Sequence, residues 1–213
     1  MAILEVCVDS RDQLAAALGC GAARLEVCSR LDLGGLTPTP ELLAQALQAA
    51  GASAVRVHAM VRSRADQAFV PSEAEFSELR ADLLRVKKQG AHGVVFGVLT
   101  SDACVDLERT RQLIALARPM TVTFHRAFDL VRDPSAELEV LIELGVDRLL
   151  TSGAAASALE GLDTLRALVA RARGRIVILP GGGVRAHNAA EILARTGASE
   201  LHSSHAFRIP RSE

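Results

Sequence analysis

The four letters LEVC occur twice within the first 28 residues of the chain. Side chains alternate between the two faces of a strand, so Glu5 shares a face with Cys7, and Glu26 shares a face with Cys28. Carboxyl groups can transfer protons, and thiolates are soft metal ligands. Packing of the two cysteines as small buried hydrophobic residues explains the pattern as well as metal binding does. The repeat therefore predicts acid–base groups, a metal site or core packing on two neighbouring strands.

The segment TVTFHRAFD, residues 121–129, joins an apolar strand pattern to three charged or titratable side chains. Buried charge is costly unless it is paired, so this strand end indicates a polar site. We interpret His125 as a candidate catalytic acid or base, and His58 of the third strand pattern as another. A core histidine bonded to a carbonyl is the alternative for His125. Arg126 is interpreted as an ion-pair partner outside the barrel.

Two glycine-containing strand ends have the properties of an anion site. The segments TSG and PGGGV each follow an apolar run. Glycine lets backbone N–H groups approach an anion closely, although a tight strand-to-helix turn explains a glycine run equally well. The candidate anion-binding residues are Arg62, Ser152, Gly153, Gly182 and Gly183.

Eight strand patterns alternate with seven helix patterns along the chain. The strands are expected at residues 3–8, 24–29, 54–61, 93–98, 120–125, 147–152, 175–180 and 199–204. The helices are expected at residues 11–19, 41–50, 73–89, 107–117, 135–144, 159–172 and 186–196. Strict alternation is typical of a parallel sheet, and eight units predict an α/β protein with a (β/α)8 TIM-barrel-like fold.

The length of 213 residues is below the roughly 250 of a typical barrel of this class. We expect a single domain over residues 1–213, with a short C-terminus that lacks a full final helix. An open doubly wound sheet is less well supported, because no GxGxxG follows the first strand. Active sites of such barrels lie at the carboxyl ends of the strands, where the candidate residues would meet.

Composition limits the classes of partner. A net charge of −1 without a basic block gives no general attraction to nucleic acid. The chain begins without a signal-peptide pattern and has no apolar run near the roughly 20 residues that span a bilayer. Four cysteines without a CxxC pair predict free thiols in the cytoplasm.

Together these motifs resemble the CutC family, from residue 3 to about residue 205. The matching segments are LEVCVDS, AARLEVCS, GGLTP, GVVFGVLT, VTFHRAFD, LTSG, PGGGV and LHSS. The resemblance implies a cytoplasmic barrel that forms a homodimer or higher homo-oligomer. It also implies a role in copper homeostasis, with Cu(I) bound by Cys7 and Cys28.

The chain departs from the family pattern in two places. After the third strand the family usually reads RPRGGDF, whereas residues 62–69 read RSRADQAF. Arg62 and Arg64 match, but the proline and the glycine pair do not. The family also continues for some tens of residues beyond the eighth strand, whereas this sequence ends HAFRIPRSE.

Two functions of different class are compatible with these residues. The first is a copper homeostasis protein, in which Met60 or His58 assists the two cysteines. The second is an enzyme acting on a small anionic or sugar-like metabolite, with Glu5, Glu26, His58 and His125 as acid–base groups. A scaffold protein built on a degenerate barrel is a weaker third possibility.

Overall fold

A computed structural model describes residues 2–51, 53–65 and 68–209. Its strands are β1 (Ile3–Val8), β2 (Arg24–Val27), β3 (Arg56–Met60), β4 (Gly93–Phe96), β5 (Thr121–Phe124), β6 (Arg148–Thr151), β7 (Val177–Pro180) and β8 (Glu200–Ser203). The helices are α1 (Arg11–Gly19), α2 (Pro40–Gly51), α3 (Glu73–Lys88), α4 (Leu107–Ala117), α5 (Pro134–Glu143), α6 (Leu162–Ala172) and α7 (Ala189–Thr196). Short 3-10 helices cover Leu31–Leu33 and Arg126–Leu130.

All eight strands belong to one parallel sheet, in the order β7-β6-β5-β4-β3-β2-β1-β8. The sheet curls until β7 and β8 lie side by side. Ser203 bridges this junction, because its Oγ donates to the carbonyl of Val184 at 2.8 Å. The result is a nearly closed barrel with helices between successive strands, which confirms the predicted TIM-barrel-like fold.

Local signals set most helix boundaries. Ser72 and Glu75 form a capping box at the start of α3, and Asp133 caps α5 with Pro134 in its first turn. The last two helices start later than predicted, at Leu162 and Ala189 instead of residues 159 and 186. Gly161 explains the first difference, since it packs directly against the backbone carbonyl of Ser152 before α6 begins.

The two faces of the strands have different chemistry. The face toward the helices is apolar, and Leu25, Val57 and Val94 are completely buried there. The face toward the lumen carries buried polar groups, among them Glu5, Glu26, His58, Thr123 and His125. A lumen lined by titratable side chains needs internal partners or a ligand, because unpaired buried polar groups are costly.

The described residues that follow β8 have no regular secondary structure. Up to residue 209, the last described position, no helix follows Ser203. Asp66 and Gln67 of the divergent segment 62–69 lie outside the described residues. Within the described ranges, no helix combines the length and apolar character needed to cross a membrane.

Candidate functional site at the barrel mouth

The pairing of β1 with β2 places the two LEVC segments two residues out of step. Glu5 lies opposite Arg24, and Cys7 lies opposite Glu26. Glu5 and Glu26 are therefore not direct neighbours, contrary to what equal registers would produce. Strands in a barrel are tilted and staggered, and this stagger brings a carboxylate next to a guanidinium instead of a second carboxylate.

The two thiols nevertheless meet. Cys7 Sγ lies 3.4 Å from Cys28 Sγ, and both cysteines are free. With Met60 and Val95 they form a small buried cluster separate from the main core. Gly35 packs against this cluster, and a side chain there would contact Cys28 and Met60. Three sulfur-containing side chains are thus gathered at one end of the barrel.

A carboxylate and an imidazole complete the surroundings of Cys7. Cys7 Sγ lies 3.4 Å from Glu26 Oε1, and Cys7, Glu26 and His202 offer ligand atoms that all lie within 4.8 Å of one another. The hydrogen bond with Cys28, together with burial, raises the pKa of Cys7 well above its ordinary value. Burial raises the pKa of Glu26 to about 7.

His202 was not among the residues that the sequence singled out as a site. Its Nδ1 lies 2.7 Å from Glu5 Oε1, which makes it the donor to this carboxylate. Burial opposes protonation, but the Glu26 charge and the Glu5 hydrogen bond raise the pKa of His202. With Nδ1 engaged, Nε2 is the nitrogen left for a ligand, as in carboxylate–histidine–metal arrangements. No local signal marks this role, since Glu5 and His202 are 197 positions apart.

Glu5 belongs to a buried ion network, not to an open site. Arg24 donates to both Glu5 and Glu200, and Arg148 Nε donates to Glu200 at 3.1 Å. Burial alone would raise the pKa of Glu5, but Arg24 and the hydrogen bond from His202 hold it well below its ordinary value. Glu5 is therefore ionised and internally paired.

His58 lies beside the same network. Its Nε2 is 3.1 Å from Thr121 Oγ1, and its Nδ1 is 4.0 Å from Glu5 Oε2. Gly93 makes room for the ring, because a side chain at this position would overlap it. Burial lowers the pKa of His58 to about 3, so the imidazole is neutral.

His125 occupies a comparable position one layer closer to the mouth. The N–H of Ala127 donates to His125 Nδ1 at 3.2 Å, and the Phe69 ring packs edge-on with its centroid 5.0 Å away. Gly97 provides the space, since a side chain there would overlap the imidazole. Burial lowers the pKa of His125 to about 3.

A cavity of about 540 Å³ opens at this mouth. This volume is within the roughly 300–1,000 Å³ of typical small-molecule sites. Of the predicted site residues, those that line it are Cys7, Glu26, Arg62, His125, Gly182 and Gly183. Glu5, Cys28, His58, Ser152 and Gly153 lie behind this lining. Arg126, His202 and Ser204, which were not among the predicted site residues, also line it.

Asp129 explains why Ser152 and Gly153 lie outside the cavity lining. Its carboxylate accepts from the N–H and Oγ of Ser152, at 3.0 and 2.9 Å, and from Thr151 Oγ1. Arg126 Nε donates to it at 2.7 Å. Gly153 packs against the Gly161 backbone. The TSG segment is thus tied to Asp129, and Arg126 is both its ion-pair partner and a cavity residue.

Two buried neutral histidines make stability depend on pH. The pKa of His58 and of His125 is lowered by burial to about 3, from an ordinary 6.5. Between these values the unfolded chain binds protons that the folded chain excludes. Their stabilising effect is complete above pH 6.5 and is lost as the pH falls toward 3. Burial raises the pKa of Glu26 from 4.5 to about 7. The contribution of Glu26 to the free energy of unfolding therefore decreases as the pH rises between these two values, opposite to that of the histidines.

We expect His125→Asn to make the protein less sensitive to acid. As the pH falls from about 6 to about 4.5, the free energy of unfolding should decrease more steeply in the wild type than in the variant. The two slopes should differ by about 1.4 kcal/mol per pH unit, which corresponds to one proton. Urea unfolding at a series of pH values measures both slopes. His187→Asn, at an exposed histidine, should keep the wild-type slope. Equal slopes for the His125 variant and the wild type would contradict the buried neutral state.

The fold and the site together define a class: a (β/α)8 barrel protein whose mouth carries paired thiols, three histidines and a small-molecule-sized cavity. The family model described as "CutC family" matches residues 2–207. The chain belongs to the CutC family, which confirms the resemblance drawn from the motifs.

Individual relatives agree with this assignment. The human "Copper homeostasis protein cutC homolog" is 45% identical over 202 residues, which cover 95% of this chain and 72% of that protein. A family protein CutC of Vibrio vulnificus strain YJ016 is 47% identical over 203 residues, covering 94% of this chain and 80% of that protein. The crystal structure of a CutC protein from Streptococcus agalactiae superimposes with a TM-score of 0.91 at 30% identity, covering 99% of this chain and all of that one.

Proposed function

We propose that this chain is a copper homeostasis protein that binds Cu(I) through the thiolates of Cys7 and Cys28. The observation that carries the proposal is the 3.4 Å separation of two free, buried thiols beside a thioether. Its human relative is named a copper homeostasis protein. Cu(I) is a soft ion that prefers sulfur ligands, so the chemistry of this cluster matches it.

The spacing of the thiols is suited to a shared metal ion. Two metal–thiolate bonds of about 2.3 Å span roughly 4.0 Å at the angle of about 120° expected for three donors. The Cys7 and Cys28 sulfurs, which lie 3.4 Å apart, would therefore have to separate by roughly half an ångström. Both thiols must lose their protons when the metal enters, because the thiolate is the ligand.

Two further side chains can complete the coordination. Met60 offers a thioether within the same cluster, and His202 offers its Nε2 while Glu5 holds the ring through Nδ1. Glu26 is a harder oxygen donor and suits Cu(I) less well than sulfur or imidazole. We therefore assign Cys7 and Cys28 as ligands, with Met60 or His202 as the third donor and Glu5 as the orienting carboxylate.

The wider setting follows from the same chemistry. We propose a cytoplasmic location, where thiols stay reduced. We also propose a single domain, assembly as a homodimer or higher homo-oligomer, and the copper ion as the partner, without nucleic acid or membrane. An enzyme acting on a small anionic or sugar-like metabolite stays an alternative prediction. The cavity-lining Glu26 and His125 are its remaining acid–base candidates.

A competitive copper titration tests the proposal. The reduced protein is titrated anaerobically with Cu(I) in the presence of a chromophoric chelator. The wild type should bind one Cu(I) per chain. Cys7→Ser/Cys28→Ser should lose far more affinity than the roughly 10–100-fold that follows removal of an outer-sphere partner.

The chain supplies a matched control in its other two cysteines. Cys20 and Cys104 are partly exposed and lie outside the cluster. Cys20→Ser/Cys104→Ser removes the same number of thiols and should bind Cu(I) as the wild type does. Copper binding that survives in Cys7→Ser/Cys28→Ser, or that disappears in the control, would refute the assignment.

A further inference from the structure

A second group of cavity-lining residues is not used by the proposed copper site. His125, Arg126, Gly182 and Gly183 follow β5 and β7, and all four line the cavity. Cys7 lies within β1 instead, and Cys28 directly follows β2. The free hydrogen-bond donors of these four residues indicate which ligand this part of the cavity can bind.

His125 presents a buried donor without an acceptor. The N–H of Ala127 points at Nδ1, so Nδ1 must be unprotonated and the neutral ring carries its proton on Nε2. His125 is only 4% exposed, and its Nε2 has no partner among the residues that the structure describes. A buried donor left unsatisfied costs free energy, and a ligand oxygen would remove that cost.

The contact that covers His125 is strained. Phe69 packs edge-on against the imidazole and also lies under the Arg62 guanidinium, whose carbon is 4.9 Å from the ring centroid. Phe69 has a φ of +53°, in the left-handed region that aromatic residues rarely adopt. Such strain is concentrated at ligand-binding sites, where the surrounding structure enforces it.

Arg126 is held by two of its nitrogens and presents a third. Nε donates to Asp129 at 2.7 Å and Nη2 donates to Ser152 Oγ at 3.0 Å. Within the described ranges Nη1 has no acceptor. The guanidinium lies against Gly182, where a side chain would contact Nη1. The clamp through Asp129 and Ser152 thus fixes a positive charge beside bare backbone.

That backbone supplies further donors. In the part of the chain that the structure describes, the N–H groups of Gly182 and Gly183 make no hydrogen bond. Both glycines have positive φ, +99° and +72°. Glycine leaves this backbone bare, so an anion can approach the two N–H groups closely, and the guanidinium beside them adds charge-assisted hydrogen bonds.

We propose that this part of the cavity binds a small phosphorylated metabolite. Its phosphate is held by Arg126 Nη1 and the N–H groups of Gly182 and Gly183. A carbonyl or hydroxyl oxygen of the same molecule accepts a hydrogen bond from His125 Nε2. The volume of about 540 Å³ accommodates such a molecule. This site uses none of the side chains assigned to copper, although Cys7 lines the same cavity.

The test uses the reduced, copper-free full chain and glycerol 3-phosphate as the ligand probe. Calorimetry should give one site per chain. NMR of protein carrying ¹⁵N-labelled histidine should show His125 protonated at Nε2, with that resonance shifting on addition of the ester. Inorganic phosphate should bind more weakly and leave the His125 resonance unchanged, because it lacks the second oxygen group.

Variants separate this site from its surroundings. Arg126→Gln and His125→Asn should each weaken binding of the ester roughly tenfold or more, because each removes a hydrogen bond to the ligand. Asparagine keeps the oxygen that accepts from Ala127 N–H. Arg166→Gln, at an exposed arginine of α6, should bind as the wild type does. Cys20→Ser/Cys104→Ser, at two cysteines outside the cavity lining, should also bind normally.

Two results would overturn the proposal. The first is a wild type that binds neither ester nor phosphate at millimolar concentration. The second is ester binding that leaves the His125 resonance unmoved and is equal in wild type and Arg126→Gln. The NMR readout on the wild type remains decisive if Arg126→Gln does not fold. Because no copper is present, these results are separate from those of the copper titration.

Discussion

Replacement of Arg24 by methionine should destabilise the protein by about 3–5 kcal/mol, as expected when one partner of a buried ion cluster is removed. Arg24 donates to Glu5 and to Glu200, and all three side chains are almost inaccessible to solvent. Without the guanidinium two carboxylates remain in the lumen with insufficient positive charge. Since domains of this kind are stable by about 5–15 kcal/mol, much of the total would be lost.

The loss of stability in Arg24→Met should come from the unpaired carboxylates of Glu5 and Glu200, not from the lost side-chain volume. Arg24→Met keeps a long apolar stem, so packing is largely preserved. Adding Glu5→Gln and Glu200→Gln to Arg24→Met should therefore recover part of the loss. Urea unfolding monitored by circular dichroism measures the three proteins, the wild type, the single variant and the triple variant, under the same conditions.

An exposed arginine provides the control for this experiment. Arg30 pairs with Asp32 at 2.9 Å, but both side chains are more than half exposed, at 59% and 62%. Exposed ion pairs contribute little to stability, so Arg30→Met should leave the unfolding midpoint unchanged. If Arg24→Met were as harmless as Arg30→Met, the lumen network would not be important for folding.

Removal of the Asp129 carboxylate should have the second-largest effect on stability. Asp129→Ala leaves donors of Ser152, Thr151, Ala154 and Arg126 without their acceptor. Each unsatisfied buried donor costs about 1–3 kcal/mol, so a total loss of about 3 kcal/mol or more is expected. Water reaching the cavity side can satisfy Arg126, but the donors of the TSG segment are buried.

Asp129 also fixes the position of Arg126 in the cavity wall. It holds Arg126 through Nε, and its loss frees the guanidinium that lies against Gly182. Asp129→Asn should be milder than Asp129→Ala, because the amide keeps one accepting oxygen. Thermal unfolding followed by circular dichroism ranks the wild type and the two variants.

Asp133 is the matched control in the same segment. It caps α5 by accepting from the N–H groups of Ser135 and Ala136 at 3.0 and 3.1 Å. Loss of a helix cap costs about 0.5–2 kcal/mol, so Asp133→Ala should be less destabilising than Asp129→Ala. The reverse order would mean that the carboxylate at position 129 is not the centre of this cluster.

Some of the cavity residues could be predicted from the sequence, and others could not. The histidine of TVTFHRAFD does lie in the cavity wall, as its strand-end position indicated. The clamp that immobilises Arg126 could not be predicted, because Asp129 and Ser152 lie on different βα units, 23 positions apart. Arg126 was interpreted as an ion-pair partner outside the barrel, yet its guanidinium serves both the ion pair and the cavity.

The sequence by itself determined the order and type of the elements. The signals are period-two apolar runs, capping residues such as Ser72 and Asp133, and glycines at helix ends. Each of them acts over a few residues, so it can be recognised in the sequence alone. It also determined the residue types at the mouth, because alternation along a strand assigns each side chain to the lumen or to the helices.

Only the tertiary structure decided which of these residues meet. The stagger of β1 against β2 set Glu5 opposite Arg24 while bringing Cys7 within 3.4 Å of Cys28. Closure of the barrel brought His202 onto Glu5. Register and closure depend on the packing of all eight strands at once, so no local pattern encodes them. The copper and phosphate proposals both depend on these long-range contacts.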